Sequence, residues 1–236
     1  MTGTPEPQYL SRESTHMAIR DSLDRLQAWC AGQEGGVRLA LGPPLDDRRI
    51  DALPHELEKD YPWWLTVPFR PAGFPIPAGY REFLRICSFA RIEYQEKGRD
   101  WSVYEPVNIF SPQEVARGQS FTVGGTTLGD DREIHTTFLV AFATAGYNVE
   151  ASRWCFYTDG DLPRQSGELP ILRESNDYEC DLAKYVDTGE WVKNAFTTPA
   201  ALSFADWLDA LVSEVTRRPF DPDRRDAIPN SFYVAT

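Results

Sequence analysis

The sequence is poor in the residues that build disulfide scaffolds and metal sites. The four cysteines, at positions 30, 87, 155 and 180, have neither CxxC spacing nor the crowding of a small secreted scaffold. The three histidines, at positions 16, 55 and 135, are too far apart in sequence for a two-histidine zinc helix. Because a chain of 236 residues can bury a core without such support, we expect no metal, no cofactor, and buried free thiols at Cys87 and Cys155.

Long apolar runs are also missing. The longest, from Phe138 to Tyr147, is too short to cross a bilayer. The first thirty residues carry charges throughout and contain no apolar run of signal-peptide length. We therefore expect a cytoplasmic protein without a membrane partner.

Recognisable catalytic motifs are missing as well. Gly124-Gly-Thr-Thr127 is not followed by the Lys-Ser/Thr pair of a phosphate-binding loop, and a hairpin tip is the better interpretation. Asp159 and Asp161 resemble the start of a calcium loop, but Pro163 stands where a third ligand is needed, so we predict a turn. There is no GxSxG elbow. The sequence predicts a protein without catalytic activity, although a hydrolase or transferase built on carboxylates that meet only in the fold stays an alternative.

Positive charge is scarce relative to negative charge. The chain has 24 basic and 36 acidic residues, which gives a formal net charge of −12. Such a balance disfavours nonspecific attraction to nucleic acid or to an anionic membrane surface. It favours a basic protein partner.

The most acidic short window lies at residues 174–181, which hold four carboxylates and no basic residue. One interpretation is a solvated face, because charge runs usually are solvated. The other is a binding patch for a basic protein, with tyrosines as aromatic anchors among the carboxylates. On this second interpretation the candidate partner-binding residues are Glu150, Asp159, Asp161, Glu174, Asp177, Tyr178, Glu179 and Asp181.

Apolar periodicity predicts alternating groups of helices and strands. The predicted helices cover residues 18–30, 46–60 (a weak pattern that contains Pro54), 76–87, 111–115 and 203–215. The predicted strands cover residues 37–41, 90–94, 101–109, 137–143, 153–157 and 169–172, with an edge strand or connector at 61–69 and a loop at 119–136. Short connections between successive strands predict an α+β fold, with a central mixed or mostly antiparallel sheet and helices packed around it.

The same patterns suggest four regions. Residues 1–15 are expected to form a disordered lead-in, and residues 16–49 an extension made of one helix and one strand. Residues 50–215 are expected to form the main domain. Residues 216–236, rich in Pro, Asp and Arg, are expected to form an extended C-terminal tail.

Three stretches of the main domain support a family resemblance. Ile76-Pro77 leading into Tyr80-Arg-Glu-Phe-Leu84 is similar to a Leu-Pro-x-x-Tyr-x-x-Phe-Leu signature. The strand from Phe138 to Phe142, followed by an aromatic strand through Trp154 and Tyr157, is a second match. Ser203-Phe-Ala-Asp-Trp-Leu208 is similar to a terminal Ser-Phe-x-x-Phe/Trp-Leu helix. In this order and spacing, over about residues 50–212, the chain resembles the SUKH superfamily, also called the SMI1/KNR4 family.

The resemblance implies an α+β fold of SUKH type without catalysis, in which residues 50–215 form the SMI1/KNR4-like domain. Many bacterial members are immunity proteins that bind and neutralise a cognate polymorphic toxin, often a nuclease. Fungal members act as interaction proteins in cell-wall regulation. The resemblance therefore implies an immunity protein with a basic toxin domain as its partner, and the alternative is a regulatory or scaffold adaptor in cell-envelope or stress signalling.

Overall fold

The computed structural model describes residues 12–34, 36–59, 75–95, 103–116, 125–127, 133–135, 139–145, 152–158, 167–174 and 203–220. Its main helices are α1 (Arg12–Ala31), α2 (Asp47–Lys59), α3 (Ala78–Ile86) and α4 (Phe204–Thr216), with a short helical segment at 112–116. Its strands are β1 (Val37–Leu41), β2 (Ala90–Gln95), β3 (Val103–Ile109), β4 (Gly125–Thr127), β5 (Glu133–His135), β6 (Leu139–Ala145), β7 (Ser152–Tyr157) and β8 (Ile171–Glu174).

Six of these strands form one sheet in the order β1-β2-β3-β6-β7-β8. Every pair of neighbours within it is antiparallel. Strands β4 and β5 form a separate antiparallel pair between β3 and β6 in the chain. The predicted α+β class is thus confirmed, and in the described part of the chain the sheet is antiparallel throughout rather than mixed.

One face of the sheet carries the main core. Strand alternation places Ile92, Ile109, Trp154 and Phe156 on that face, where each is at most 1% exposed. The register between β6 and β7 shifts between Ala141 and Ala143. A bulge of this kind lets consecutive residues point to one face, and the buried Phe142 joins the core in this way.

Helices α1, α3 and α4 cover this face. The apolar side of α1 contributes Ile19, Leu23 and Leu26 to the same core cluster as the strands. Where α3 and α4 meet β6 and β7, six aromatic side chains are fully buried against one another, with ring centroids 4.1–6.3 Å apart in the contacts between them. These six are Tyr80, Phe83, Phe142, Phe156, Phe204 and Trp207.

Two helix starts follow the capping chemistry that their sequences predict. The hydroxyl oxygen of Ser203 accepts a hydrogen bond from the Asp206 N–H at 3.1 Å, so Ser203 is the N-cap of α4. At the short helix 112–116, Ser111 and Glu114 form a capping box, because the Ser111 N–H donates to Glu114 at 2.8 Å and the Glu114 N–H donates to the Ser111 hydroxyl oxygen at 3.4 Å.

The structure differs from the sequence prediction at three places. Helix α1 begins at Arg12, earlier than predicted, because contacts with α3 hold its first turn. Helix α2 continues through Pro54 as one helix. The segment predicted as a loop at 119–136 contains the paired strands β4 and β5. The predicted edge strand or connector at 61–69 lies outside the described residues.

The chain segments on either side of the predicted main domain contact it directly. Strand β1 is the end strand of the sheet and pairs with β2 along all five of its residues. After α4, the Arg218 carbonyl accepts a hydrogen bond from the Trp29 indole at 2.9 Å, and the Phe220 ring lies 4.9 Å from that of Tyr94. Residues 217–220 therefore bind back onto α1 and β2.

Candidate functional site

Of the eight predicted partner-binding residues, the structure describes one. Glu174 is the last residue of β8, and its Cα lies opposite that of Arg153 on β7. Glu150, Asp159, Asp161, Asp177, Tyr178, Glu179 and Asp181 lie outside the described residues. The acidic patch therefore stays a prediction.

The described strands do show where the segments carrying those residues connect to the sheet. The chain enters β7 at Ser152 and leaves β8 at Glu174, and the register places these two positions at the same end of the sheet. The chain leaves β7 at the opposite end, after Tyr157. Ser152 and Glu174 thus lie at one end of this pair of strands, and Tyr157 lies at the other.

The most unusual described acidic side chain is Glu168, which is 7% exposed. It lies just before β8 and touches the first turns of two helices. Its Oε1 accepts a hydrogen bond from the Gly79 N–H of α3 at 2.7 Å, and its Oε2 accepts one from the Phe204 N–H of α4 at 3.4 Å. The neighbouring Gly167 carbonyl accepts from the Ala78 N–H at 2.9 Å. The first N–H groups of a helix lack partners inside the helix, so Glu168 caps two helices at once.

The electrostatics of Glu168 differ from those of a surface glutamate. Burial raises its pKa to about 7, and the two backbone N–H donors only partly offset this effect. A carboxyl group with such a pKa is the kind that general acid or base catalysis uses. Both of its oxygens are engaged by backbone donors, however, and the geometry identifies Glu168 as a connection between helices.

The two helix starts approach each other closely at Gly79. A Cβ atom at this position would lie 3.1 Å from the Phe204 Cβ and 3.2 Å from Glu168 Oε1. Both distances are shorter than ordinary van der Waals contacts between such atoms. A side chain at this position would press on α4 and Glu168, and these neighbours would have to shift by a few tenths of an ångström to admit it.

A second polar cluster joins α1, α2 and α3. The buried Glu82 of α3 accepts hydrogen bonds from Arg85 and, at 2.9 Å, from Arg12 Nε, and its Oε2 lies 3.3 Å from His16 Nδ1. Arg85 also donates from its Nε to Asp47 of α2 at 2.9 Å. This hydrogen bond holds the pKa of Asp47 below its ordinary value.

An open cavity of about 430 Å³ lies beside this cluster and is lined by Arg12, Glu13, His16, Met17 and Glu82. The one buried carboxylate in its wall, Glu82, already binds Arg12 and Arg85. The cavity therefore has a polar wall held together by ion pairs.

The described thiols lack the features of reactive cysteines. Cys30, Cys87 and Cys155 are buried. Burial raises the pKa of the Cys30 thiol to about 11 and that of Cys87 to about 12, whereas nucleophilic cysteines have lowered pKa values.

The described residues contain no group of three or more His, Cys, Asp or Glu residues placed to hold a metal ion. None of the helices in the described ranges combines the length and the apolar character that crossing a bilayer requires.

No pattern in the sequence predicts the contacts that Glu168, Glu82 and Gly79 make. The only local signals are an acidic residue just before the apolar run Leu169 to Leu172 and a glycine inside the first turn of α3. Comparison of the chain with protein-family models, with curated proteins and with solved structures finds no match.

Proposed function

We propose that this chain is a non-catalytic protein-binding module of SUKH type, an immunity protein that binds a basic toxin domain in the cytoplasm and neutralises it. The observation that supports this proposal most is the convergence of the three family-like sequence stretches. Tyr80 and Phe83 come from the first, Phe142 and Phe156 from the second, and Phe204 and Trp207 from the third.

These side chains lie in one aromatic cluster, although the stretches are separated by more than forty residues in the sequence. Their common location supports a single domain built around them. The resemblance therefore rests on core positions, and the binding surface has to be sought elsewhere.

Charge provides the second support. The formal net charge of −12 attracts a basic protein and accelerates its association. The described polar groups with unusual environments, Glu168 and Glu82, connect helices to one another. Neither is paired with a nucleophile of the kind that covalent catalysis uses.

The test begins with the genes beside this one. The product of an adjacent reading frame should be toxic when expressed alone, and expression of this chain should restore growth. The purified pair should form a complex whose association rate falls steeply with salt, as electrostatic steering requires. A chain that neither restores growth nor binds any adjacent product would contradict the proposal. Effects on cell-envelope signalling without such a product would instead favour the adaptor.

Paired charge variants test the predicted acidic patch. Replacing Asp177, Glu179 and Asp181 by their amides should lower the association rate by about tenfold, because three charges near the interface are lost. The matched control replaces three exposed acidic residues of α1, Glu13, Asp21 and Asp24, by their amides. Both variants change the net charge equally. Equal effects of the two would show that overall charge acts and that the patch does not.

A further inference from the structure

A short segment after α4 binds back onto the ends of α1 and β2. Its contacts come from Arg218 and Phe220. The residues that receive them are Trp29 of α1, Gln33 just after α1 and Tyr94 of β2. Because the segment lies beyond the end of α4, it reaches this location as a separate piece of chain and not as part of the helix.

Two hydrogen bonds from the receiving residues reach the backbone of this segment. The Trp29 indole N–H donates to the Arg218 carbonyl at 2.9 Å, and the Phe220 N–H donates to the Gln33 side-chain oxygen at 2.8 Å. The Gln33 side-chain nitrogen donates to the Trp29 carbonyl at 2.8 Å, which orients the amide so that its oxygen faces the segment. In peptide recognition, main-chain hydrogen bonds provide affinity and a pocket for a side chain provides specificity.

One aromatic ring anchors the segment. The Phe220 ring centroid lies 4.9 Å from that of Tyr94, and 6.5 Å from that of Trp29 with the two planes at 83°. Tilted and edge-to-face arrangements at these separations are favourable for aromatic pairs. Pro219 lies between the two contacting residues and restricts the backbone there, so the segment loses less conformational freedom when it binds.

The segment is attached more weakly than the helix that precedes it. Residues 217–219 are exposed, and Phe220 is half-buried. Helix α4, in contrast, is buried along one side from Phe204 to Val215. Segments with few buried apolar contacts open locally at a low free energy. Residues 217–220 can therefore detach while α4 stays folded.

We propose that Trp29, Gln33 and Tyr94 form a peptide-binding site, and that residues 217–220 of the same chain occupy it as a releasable strap. Release of the strap uncovers two aromatic side chains beside an amide that hydrogen-bonds a main chain. The ligand that fits the uncovered site is a segment with one aromatic anchor. The strap is thus an autoinhibitory contact that a competing segment has to displace. This inference is independent of the proposed function, because it uses neither the acidic patch nor a basic partner.

Amide hydrogen exchange of the full wild-type chain tests whether the strap opens by itself. The Phe220 amide should be protected by its hydrogen bond to Gln33. It should nevertheless exchange at least about 100-fold faster than the Val212 amide of α4, because it is released by local opening. Equal rates at both amides, governed by global unfolding, would show that residues 217–220 are an integral part of the fold and would overturn the proposal.

Binding in trans tests the site. The full chain with Phe220→Ala, in which the strap lacks its anchor, is titrated with a synthetic peptide of residues 215–222 blocked at both ends. The Trp29 indole signal in a ¹H–¹⁵N spectrum, assigned with Trp29→Phe, should return toward its wild-type position. The wild-type chain should bind the peptide at least about tenfold more weakly, because its strap competes at a high effective concentration. A peptide with Ala in place of Phe should not bind.

Arg218→Ala is the matched control, because it shortens an exposed side chain and keeps the carbonyl that Trp29 binds. This variant should keep the wild-type Trp29 signal and should bind the peptide as weakly as the wild type. Far-UV circular dichroism checks the fold of each variant. A folded Phe220→Ala chain that does not bind the peptide, or an Arg218→Ala chain that does, would overturn the proposal. Should Phe220→Ala fail to fold, the exchange experiment on the wild-type chain decides.

Discussion

The glycine at position 79 lies in a helix, but the space around it is too tight for an ordinary side-chain contact. Replacing glycine by alanine within a helix normally stabilises a protein by up to about 1 kcal/mol. At Gly79 the added methyl group would press on the Phe204 Cβ and the Glu168 carboxylate. The Phe204 Cβ belongs to the first turn of α4, and the Glu168 carboxylate is held by two backbone N–H donors. At this position, replacement of glycine by alanine should therefore destabilise the protein.

Gly79→Ala is expected to destabilise the protein by about 1–2 kcal/mol, in the range of overpacked cores. The midpoint of urea unfolding measures this effect. Gly32→Ala is the matched control, because a Cβ there would meet nothing closer than 3.5 Å. The control should change stability by less than about 0.5 kcal/mol. A stabilised Gly79→Ala variant would show that α4 yields to the methyl group.

The Tyr80 hydroxyl gives a second prediction. Tyr80 is fully buried among aromatic rings, and its hydroxyl has no hydrogen-bond partner among the described residues. A buried polar group without a partner costs about 1–3 kcal/mol. Tyr80→Phe should therefore leave thermal stability unchanged or raise the free energy of unfolding by about 1 kcal/mol. Tyr80→Ala should lower it by about 3–5 kcal/mol because it removes the ring. A clear loss in the phenylalanine variant would mean that the hydroxyl is bound.

At the level of secondary-structure elements, Glu168 links the segment before β8 to the starts of α3 and α4. The pKa of Glu168 is raised from 4.5 to about 7 in the folded state. Proton binding therefore favours the folded state. The stabilising contribution is complete below about pH 4.5 and is lost as the pH rises through about 7.

We expect the contribution of Glu168 to unfolding free energy to fall by on the order of 3 kcal/mol between pH 5 and pH 8. Urea unfolding at several pH values measures the trend. Glu168→Gln cannot titrate and should flatten the pH dependence in this range. The same slope in the wild type and the glutamine variant would contradict this assignment.

The comparison of sequence with structure shows which features are local. The Ser203 cap, the Ser111–Glu114 capping box and strand β1 follow from residues a few positions apart, and the sequence predicts them correctly. The Glu168–Gly79 contact joins residues 89 positions apart, and no local pattern encodes it. The early start of α1 likewise depends on Arg12 reaching Glu82, 70 positions away.

The candidate binding site is harder to predict from the sequence than the fold. Charge and composition pointed to an acidic window, but such windows form solvated faces as readily as interfaces. The position of β1 at the end of the sheet has no signal in the sequence, because an end strand and a central strand can share the same alternation. In the structure, β1 pairs with β2 from Val37 to Leu41 and is an end strand among the described strands.

At the scale of the whole molecule, residues 12–45 contribute to the same core as the main domain. Ile19, Leu26 and Leu45 are buried in the single core cluster, and β1 extends the sheet. At the other end of the chain, Phe220 packs against Trp29 and Tyr94. These contacts indicate that the predicted extension is needed for folding.

A chain that begins at residue 50 should therefore be unfolded or aggregated, because it exposes the apolar faces of α4 and β2. Circular dichroism and light scattering would detect this outcome. The full chain should unfold in one transition, with coincident midpoints by tryptophan fluorescence and far-UV circular dichroism. A monomeric, cooperatively folded 50–236 chain would show instead that the extension is a separate unit.

The junction between β3 and β6 bears on how far this protein can be re-engineered. The Phe110 N–H donates to the Phe142 carbonyl at 2.8 Å, so the chain leaves and rejoins the sheet at nearly the same point. For a loop whose ends already meet, doubling its length costs only about 0.6 kcal/mol of closure entropy. A fluorescent reporter or an affinity tag could therefore be inserted in the stretch between these strands. Strand β1, which is separated from β3 by β2, would not be affected.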